Sequence, residues 1–136
     1  MSISALAFCL AIATFNEAKG EPLQGQKEVA QTIYNRAKGE SKNLCKVINA
    51  PGQFTNLSKS KQKSYFKRLS KKKDDTFEII KSISIKIIEQ GKTTRTTHFH
   101  STHVRPSWSH DKHFKKVRKI GNHIFYASLD HDAKYF

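Results

Sequence analysis

One carboxylate stands where acid–base chemistry is favoured. Glu17 ends an uncharged stretch that begins at Met1, and a loop containing Gly20 and Pro22 follows it. A carboxyl group at the junction of an apolar helix and a loop is partly desolvated, and desolvation raises its pKa. A general acid that works near neutral pH needs such a pKa. Glu17 is therefore our candidate catalytic residue. The alternative is an ordinary surface glutamate at a helix end.

All seven histidines lie in the last third of the chain, which raises the question of a metal site. His98, His100 and His103 are close enough in sequence to supply zinc ligands. However, neither an HExxH nor a CxxC motif occurs, and no second ligand pair has a recognised spacing. We therefore predict no metal and no cofactor, and we interpret the histidines as polar groups that line a groove or the surface.

The composition describes a folded and strongly basic chain. In 136 residues, 25 Lys and Arg oppose 11 Asp and Glu, which gives a formal net charge of +14. The length fits one domain over residues 1–136 and excludes a repeat array. The charge predicts an anionic partner, and nucleic acid, an acidic membrane surface and a bacterial wall polymer all qualify.

The hydropathy pattern is mainly helical. Apolar residues at helical spacing predict helices at residues 2–18, 24–38, 44–48 and 59–73, and a long helix from a capping box at 75–78 to Gly91. A Pro-Gly pair predicts a loop at residues 50–53. Beyond Gly91 the helical period is lost, and we predict extended segments at 93–103 and 120–126. Because the first helix is almost wholly apolar, we expect it to be central.

Two features bear on the cellular compartment. We predict that Cys9 and Cys45 are buried thiols, because a disulfide-dependent secreted scaffold would carry more cysteines. The apolar stretch from Met1 to Phe15 lacks the positive start of a signal peptide. Fifteen helical residues also span only about 22 Å, short of a hydrocarbon core of about 30 Å. We therefore expect synthesis in a cytoplasm, without a cleaved signal.

Three sequence blocks occur in a characteristic order. The first consists of residues 16–22 (NEAKGEP), 25–26 (GQ), 29–30 (VA) and 35–36 (NR), and the second of 47–48 (VI) and 52–55 (GQFT). The third consists of residues 97–100 (THFH), 106–108 (PSW) and 120–126 (IGNHIFY). In this order they resemble the SleB-type cell-wall hydrolases, the family of spore cortex-lytic enzymes and phage endolysins.

The resemblance implies a fold and an activity. The fold is a lysozyme-like single domain, mainly α (α+β), with a small extended or β segment near the C-terminus. The activity is cleavage between N-acetylmuramic acid and N-acetylglucosamine in the glycan strands of peptidoglycan, with Glu17 as the catalytic acid. The resemblance also implies a cleft lined by Gln53, Phe54, Thr55, His98, His100 and Tyr126.

Further residues have side chains suited to sugars. Asn35 and His123 are candidates for hydrogen bonds to the acetamido and hydroxyl groups of the glycan. Trp108 is a candidate for stacking on a sugar face, and so are Tyr126 and Phe54. Core packing is the alternative for these aromatic residues.

The sequence offers no evident partner for Glu17, although hydrolysing glycosidases normally use two carboxylates. Gly20 and Pro22 separate Glu21 from its helix, and the acids at 74–78 are explained by a helix cap. We therefore expect a lytic transglycosylase, in which the 6-hydroxyl of the sugar attacks intramolecularly and gives a 1,6-anhydro product. A hydrolytic muramidase acting on the same bond is the alternative.

The basic helix at 59–73 contains Tyr65 and Phe66, a pattern that is also typical of nucleic-acid binding. A nucleic-acid-binding module is therefore the alternative of another class. Given the resemblance, we expect no nucleic acid and assign this run to the anionic cell envelope or, alternatively, to a solvated face. Its cations are Lys59, Lys61, Lys63, Lys67, Arg68, Lys71, Lys72 and Lys73. We expect a monomeric phage endolysin that is released with the help of a holin and acts in the periplasm or cell wall.

Overall fold

Helices dominate the first two thirds of the chain and strands the last third. The computed structural model describes residues 3–37, 41–50, 59–72, 74–91 and 94–129. The helices in these ranges are α1 (Ile3–Ala18), α2 (Leu23–Arg36), α3 (Leu44–Asn49), α4 (Lys59–Lys72) and α5 (Asp75–Gln90). The strands are β1 (His98–Ser101), β2 (Phe114–Ile120) and β3 (His123–Ser128), and short 3-10 turns lie at Ser41–Asn43 and Ser107–His110.

Helix α1 lies at the centre of the helical part, as its composition predicts. It packs against α2, α3 and α5, and Leu10, Ala11 and Ala13 are fully buried. A helix that is apolar on all sides must be enclosed by other elements. Within the described ranges, no helix combines the length and the hydrophobicity needed to cross a bilayer.

A disulfide bond joins α1 to α3. It links Cys9 to Cys45, whose Cα atoms lie 5.4 Å apart. The prediction of two buried thiols is therefore wrong. It rested on the number of cysteines, which carries no information on whether the fold brings two residues 36 positions apart together. In the chain-entropy model, closing a loop of this length stabilises the fold by roughly 4 kcal/mol.

Helix α5 begins one residue from the predicted position of its cap. Asp74 is the N-cap residue, and its carboxylate accepts a hydrogen bond of 2.9 Å from the backbone N–H of Phe77. Glu78, which we assigned to a capping box, instead pairs with Lys81 at 3.2 Å. The helix ends at Gly91, as predicted, where a φ of 83° favours glycine.

The strands form an antiparallel sheet in the order β1-β3-β2. The segment predicted to be extended at 120–126 contains the turn of the β2–β3 hairpin, in which Gly121 has a φ of 57°. Sequence reasoning missed β2. Residues 115–119 are exposed and mostly charged, so the alternation that marks a half-buried strand is absent.

The two faces of the sheet have different environments. Phe99, His123 and Phe125 contact one another, and Phe99 and Phe125 belong to the main hydrophobic core. His98, His100 and Tyr126 lie on the opposite face, where they surround Trp108. The predicted site residues of the last block therefore divide between an inner and an outer face.

Candidate active site

Glu17 occupies the last turn of α1 and is half-buried. Burial raises the pKa of its carboxyl group, because a charged carboxylate loses hydration at this position. None of the described side chains or backbone groups donates a hydrogen bond to it or forms an ion pair with it. A carboxyl group that is desolvated and unpaired is suited to hold a proton and to release it.

The segment after Glu17 is tied to the β2–β3 turn. Glu21 is only 8% exposed, and its carboxylate accepts hydrogen bonds from the backbone N–H of Asn122 at 2.7 Å and from its side-chain amide at 3.3 Å. A Cβ atom at Gly121 would lie 2.5 Å from Glu21 Oε1, so this close approach requires a glycine. Glu21 thus brings the end of α1 to the hairpin.

An aromatic cluster covers the outer face of the sheet. It consists of His98, His100, Trp108, Phe114 and Tyr126. The Trp108 ring lies 5.1–5.6 Å from the rings of the other four residues, measured between centroids. The imidazole of His100 stacks on Tyr126, and its Nε2 lies 2.9 Å from the Tyr126 hydroxyl oxygen. The structure therefore brings together four predicted site residues, namely His98, His100, Trp108 and Tyr126.

His98 is a neutral member of this cluster at physiological pH. Burial, together with the nearby charge of Arg36, lowers the pKa of His98 to about 4. Its Nδ1 lies 2.9 Å from Thr97 Oγ1. The cluster thus offers rings and neutral hydrogen-bonding groups, which suit uncharged sugar units.

His123 lies on the inner face of the sheet, away from the aromatic cluster. Its imidazole is buried, contacts Phe99 and Phe125, and lies 3.5 Å from Glu21 Oε1 through Nδ1. Burial lowers the pKa of His123. This geometry favours support of the hairpin and does not fit the prediction that His123 binds sugar directly.

Asn35 also has a structural environment. It is 0% exposed, and its amide donates hydrogen bonds to the backbone carbonyls of Thr94 at 3.0 Å and Thr96 at 2.8 Å. Its side-chain oxygen accepts from Gln31. The prediction that Asn35 binds sugar does not fit this burial. Gln53, Phe54 and Thr55 lie outside the described residues.

Sequence reasoning assigned no role to Glu28 or Thr32, which belong to the same buried network as Asn35. We call it the loop clamp: Glu28, Thr32, Asn35 and Arg36 of α2 hold residues 94–97. Glu28 accepts hydrogen bonds from the hydroxyl groups of Thr96 at 2.6 Å and Thr94 at 3.1 Å, and Arg36 donates to the carbonyl of Thr97 at 3.2 Å. Residues 28, 32 and 35 share one face of a helix, so a polar stripe was the available signal. The clamp fixes the start of β1 and hence the position of His98.

Residues 20–126 match the model of a protein family whose description is cell wall hydrolase. The chain belongs to the cell wall hydrolase family. This membership confirms the resemblance drawn from the three sequence blocks. It supports, at the coarse level, the prediction of an enzyme that degrades the peptidoglycan of the cell wall.

The fold of this cell wall hydrolase is shared with a solved structure. The catalytic domain of the Bacillus cereus SleB protein matches it with a TM-score of 0.62 and 24% sequence identity. The match covers 89% of this chain and 88% of that chain. It confirms the predicted lysozyme-like α+β fold with a small sheet near the C-terminus. No curated protein sequence matches the chain significantly.

The matched stretch of this cell wall hydrolase begins three residues after Glu17. The catalytic role of Glu17 therefore stays a prediction, based on its sequence block and on its desolvated position. The matched stretch includes the aromatic cluster and the loop clamp. Among the residues that the structure describes, no group of three potential metal ligands is found.

Proposed function

We propose that this cell wall hydrolase is a lytic transglycosylase that cleaves the bond between N-acetylmuramic acid and N-acetylglucosamine, with Glu17 as its acid and base. The observation that carries the proposal is the contrast among three glutamates. Glu17 is desolvated and has no partner among the described residues. Glu21 and Glu28, the carboxylates that follow it in the chain, are engaged by the hairpin and by the loop clamp. Neither is available as a second catalytic carboxylate.

One carboxyl group is sufficient for this reaction. Protonated Glu17 donates its proton to the glycosidic oxygen, and the bond between that oxygen and C1 of the muramyl residue breaks. The N-acetyl group of the muramyl residue stabilises the positive charge that develops. The Glu17 carboxylate then removes the proton of the muramyl 6-hydroxyl while O6 bonds to C1, which forms the 1,6-anhydro ring. Glu17 is protonated again, and no water is consumed.

The aromatic cluster is our proposed sugar-binding surface. Trp108 lies at the centre of the cluster, is partly exposed and is held in place by the rings around it. A rigid aromatic face binds the C–H face of a sugar at small cost in conformational entropy. His98 lies beside it and can exchange hydrogen bonds with the acetamido and hydroxyl groups. His100 contributes through its ring, because its two nitrogens already contact the Tyr126 hydroxyl and the Ser101 carbonyl. In this proposal, the loop clamp positions the cluster and does not touch the sugar units.

The wider biological role is also a proposal, that of a monomeric phage endolysin. Most cations of α4 are exposed, while Leu69 and Gln62 are buried against the rest of the protein. This basic face is available for contact with an anionic cell envelope. The Cys9–Cys45 disulfide supports action outside a reducing cytoplasm, since disulfides persist in oxidising compartments.

The products of digestion test the mechanism. Purified peptidoglycan sacculi are digested, and the fragments are analysed by mass spectrometry. We expect 1,6-anhydro-muramyl ends, and Glu17→Gln should release them at least about 100-fold more slowly. Fragments that carry one added water and a reducing muramyl end would show a muramidase. Salt-sensitive DNA binding with no fragments at all would favour the nucleic-acid-binding module.

A further inference from the structure

A concave surface lies outside the proposed catalytic machinery. It is a groove of about 650 Å³ between α2, α5 and β2, and neither Glu17 nor the aromatic cluster lines it. Its apolar part is formed by four isoleucines, so we call it the isoleucine groove: Ile79, Ile83, Ile87 and Ile120. Ile79 is 47% exposed although it is a large apolar residue in a helix. The groove therefore presents apolar surface that the fold itself does not cover.

The rim of the isoleucine groove is positively charged. Lys27, Lys86 and Arg118 line it. Among the described residues, no carboxylate lies within ion-pair distance of Lys27 or Lys86. Among the described residues that line the groove, the one carboxylate is that of Glu28, which accepts two threonine hydroxyl groups and lies 3.9 Å from Arg118. Three cations against one engaged carboxylate favour an anionic ligand, and the isoleucines favour one that also carries small apolar groups.

The groove begins near the proposed catalytic end of α1. Gln24 and Ile120 line its start, and both are close in sequence to the contact between Glu21 and Asn122. From there it follows α2 to Gln31, which at 1.5 Å per residue is a length of about 10 Å. An extended chain advances about 3.3–3.6 Å per residue, so the groove accommodates about three extended residues.

We propose that the isoleucine groove binds the short acidic peptide that is attached to the muramyl residues of peptidoglycan, its stem peptide. This inference rests on the proposed function, because it assumes that a glycan strand is bound near the end of α1. The carboxylates of the peptide pair with Lys27, Lys86 and Arg118, and its alanine methyl group and the aliphatic parts of its other side chains contact the isoleucines. The groove would thus select peptide-bearing strands over bare glycan.

The first experiment measures ligand binding to the groove and does not depend on cleavage of a glycan strand. The isolated tripeptide alanine–γ-glutamate–diaminopimelate is titrated into the full-length protein, and binding is followed by calorimetry and by amide shifts. The double variant Lys27→Gln/Lys86→Gln removes two rim charges. It should weaken binding by about five- to tenfold, as expected for the loss of two partly screened ion pairs. The control Lys42→Gln/Lys46→Gln removes two exposed charges at and near α3 and should leave binding unchanged.

The second experiment measures selectivity in turnover. The substrates are glycan strands that carry stem peptides and the same strands stripped by an amidase. We expect a lower KM for peptide-bearing strands in the wild type. In Lys27→Gln/Lys86→Gln, the KM should rise about five- to tenfold for these strands alone, with kcat unchanged. Thermal unfolding confirms that the variants are folded.

Four results would overturn the inference: no binding of the tripeptide, equal binding by both double variants, equal KM values for the two strands in the wild type, or binding that survives amidation of the peptide carboxylates. Rim-dependent binding of anionic vesicles without peptide binding would assign the groove to lipid instead. If neither strand is cleaved, the proposed function fails, whereas the titration still decides what the groove binds.

Discussion

Two glutamates on neighbouring helices have contrasting environments. Glu17, in the last turn of α1, is half-buried, has a pKa raised by burial and lacks a partner among the described residues. Glu28, in α2, is only 6% exposed and accepts hydrogen bonds from two threonines. Both carboxylates lose contact with water, but only that of Glu28 gains protein hydrogen bonds in place of the lost hydration.

The difference supports our proposal that Glu17, and not Glu28, takes part in the chemistry. A buried carboxylate with full hydrogen bonding contributes to stability, and its removal leaves other buried groups without partners. A desolvated carboxylate without partners lowers stability when it is charged, so its presence calls for a functional reason. We therefore expect substitution of Glu17 to affect the reaction, and substitution of Glu28 to affect the fold.

The largest expected effect is that of Glu17→Gln. The amide cannot donate a proton to the glycosidic oxygen, so turnover of peptidoglycan should fall by about 100- to 10,000-fold. The free energy of unfolding should not decrease, because the substitution removes a charge that burial disfavours. Turbidity of a sacculus suspension measures the first quantity, and urea denaturation measures the second.

Glu21→Gln is the informative neighbour for this experiment. Glu21 holds Asn122 of the hairpin, so its amide variant should lose stability and retain more turnover per folded molecule than Glu17→Gln. If Glu17→Gln retained wild-type turnover, Glu17 would have no role in the mechanism. The expected division, in which Glu17 serves the reaction and Glu28 the fold, would then be wrong.

Local patterns were sufficient to predict the helices and the catalytic candidate. Apolar residues at helical spacing placed α1, and Gly91 placed the end of α5. Glu17 was selected as the catalytic candidate because the signal, an acid at the end of an apolar helix, lies within a few residues of sequence; its role stays a prediction. Glu28 was not found, since its partners Thr94 and Thr96 are 66 and 68 residues away.

Long-range pairing limited the prediction of the remaining structure. The disulfide depends on α3 packing against α1, and no local pattern encodes this arrangement. Strand β2 is at the edge of the sheet and carries charged residues on both faces, so its backbone pairing with β3 defines it better than its hydropathy does. The division of the third block between two faces likewise follows from strand register.

An intermediate effect, on stability, is expected for Glu28→Gln. Both threonine hydroxyl groups donate to the same carboxylate oxygen. Hydrogen bonds to a neutral amide oxygen are weaker than those to a charged carboxylate, so the free energy of unfolding should fall by about 1–3 kcal/mol. Turnover per folded molecule should remain within a few-fold of the wild type. Glu28 affects the sugar-binding surface only through the position of β1, and it lines the isoleucine groove as a carboxylate that two threonines already engage. Urea denaturation and active-site-normalised turnover measure the two quantities.

Thr32→Val is a useful companion to this variant. It removes the hydroxyl group that lies 2.9 Å from Thr96 Oγ1 and keeps the shape of the side chain. We expect it to shift stability in the same direction as Glu28→Gln. A Glu28→Gln protein that is fully stable but inactive would mean that the second carboxylate also takes part in the chemistry.

The smallest expected effect is a pH dependence of stability that separates the two glutamates. The pKa of Glu17 is raised in the folded state, so the protonated form is favoured by folding. Its contribution to stability is fully present below the unfolded pKa of about 4.5 and is lost as the pH rises through the folded pKa. Relative to Glu17→Gln, the wild type should therefore lose stability over the window that begins near pH 4.5.

This comparison isolates Glu17 because other groups that titrate in the same window, such as His98 with its pKa of about 4, are present in both proteins and cancel. Glu89→Gln, at an exposed position of α5, is the control, because it reports how the loss of one solvated negative charge changes the pH dependence of stability. Unfolding free energies measured from pH 4 to pH 8 should give a wild-type curve that falls below that of Glu17→Gln as the pH rises. Parallel curves would mean that Glu17 is solvated, and a desolvated general acid at the end of α1 would then have no physical basis.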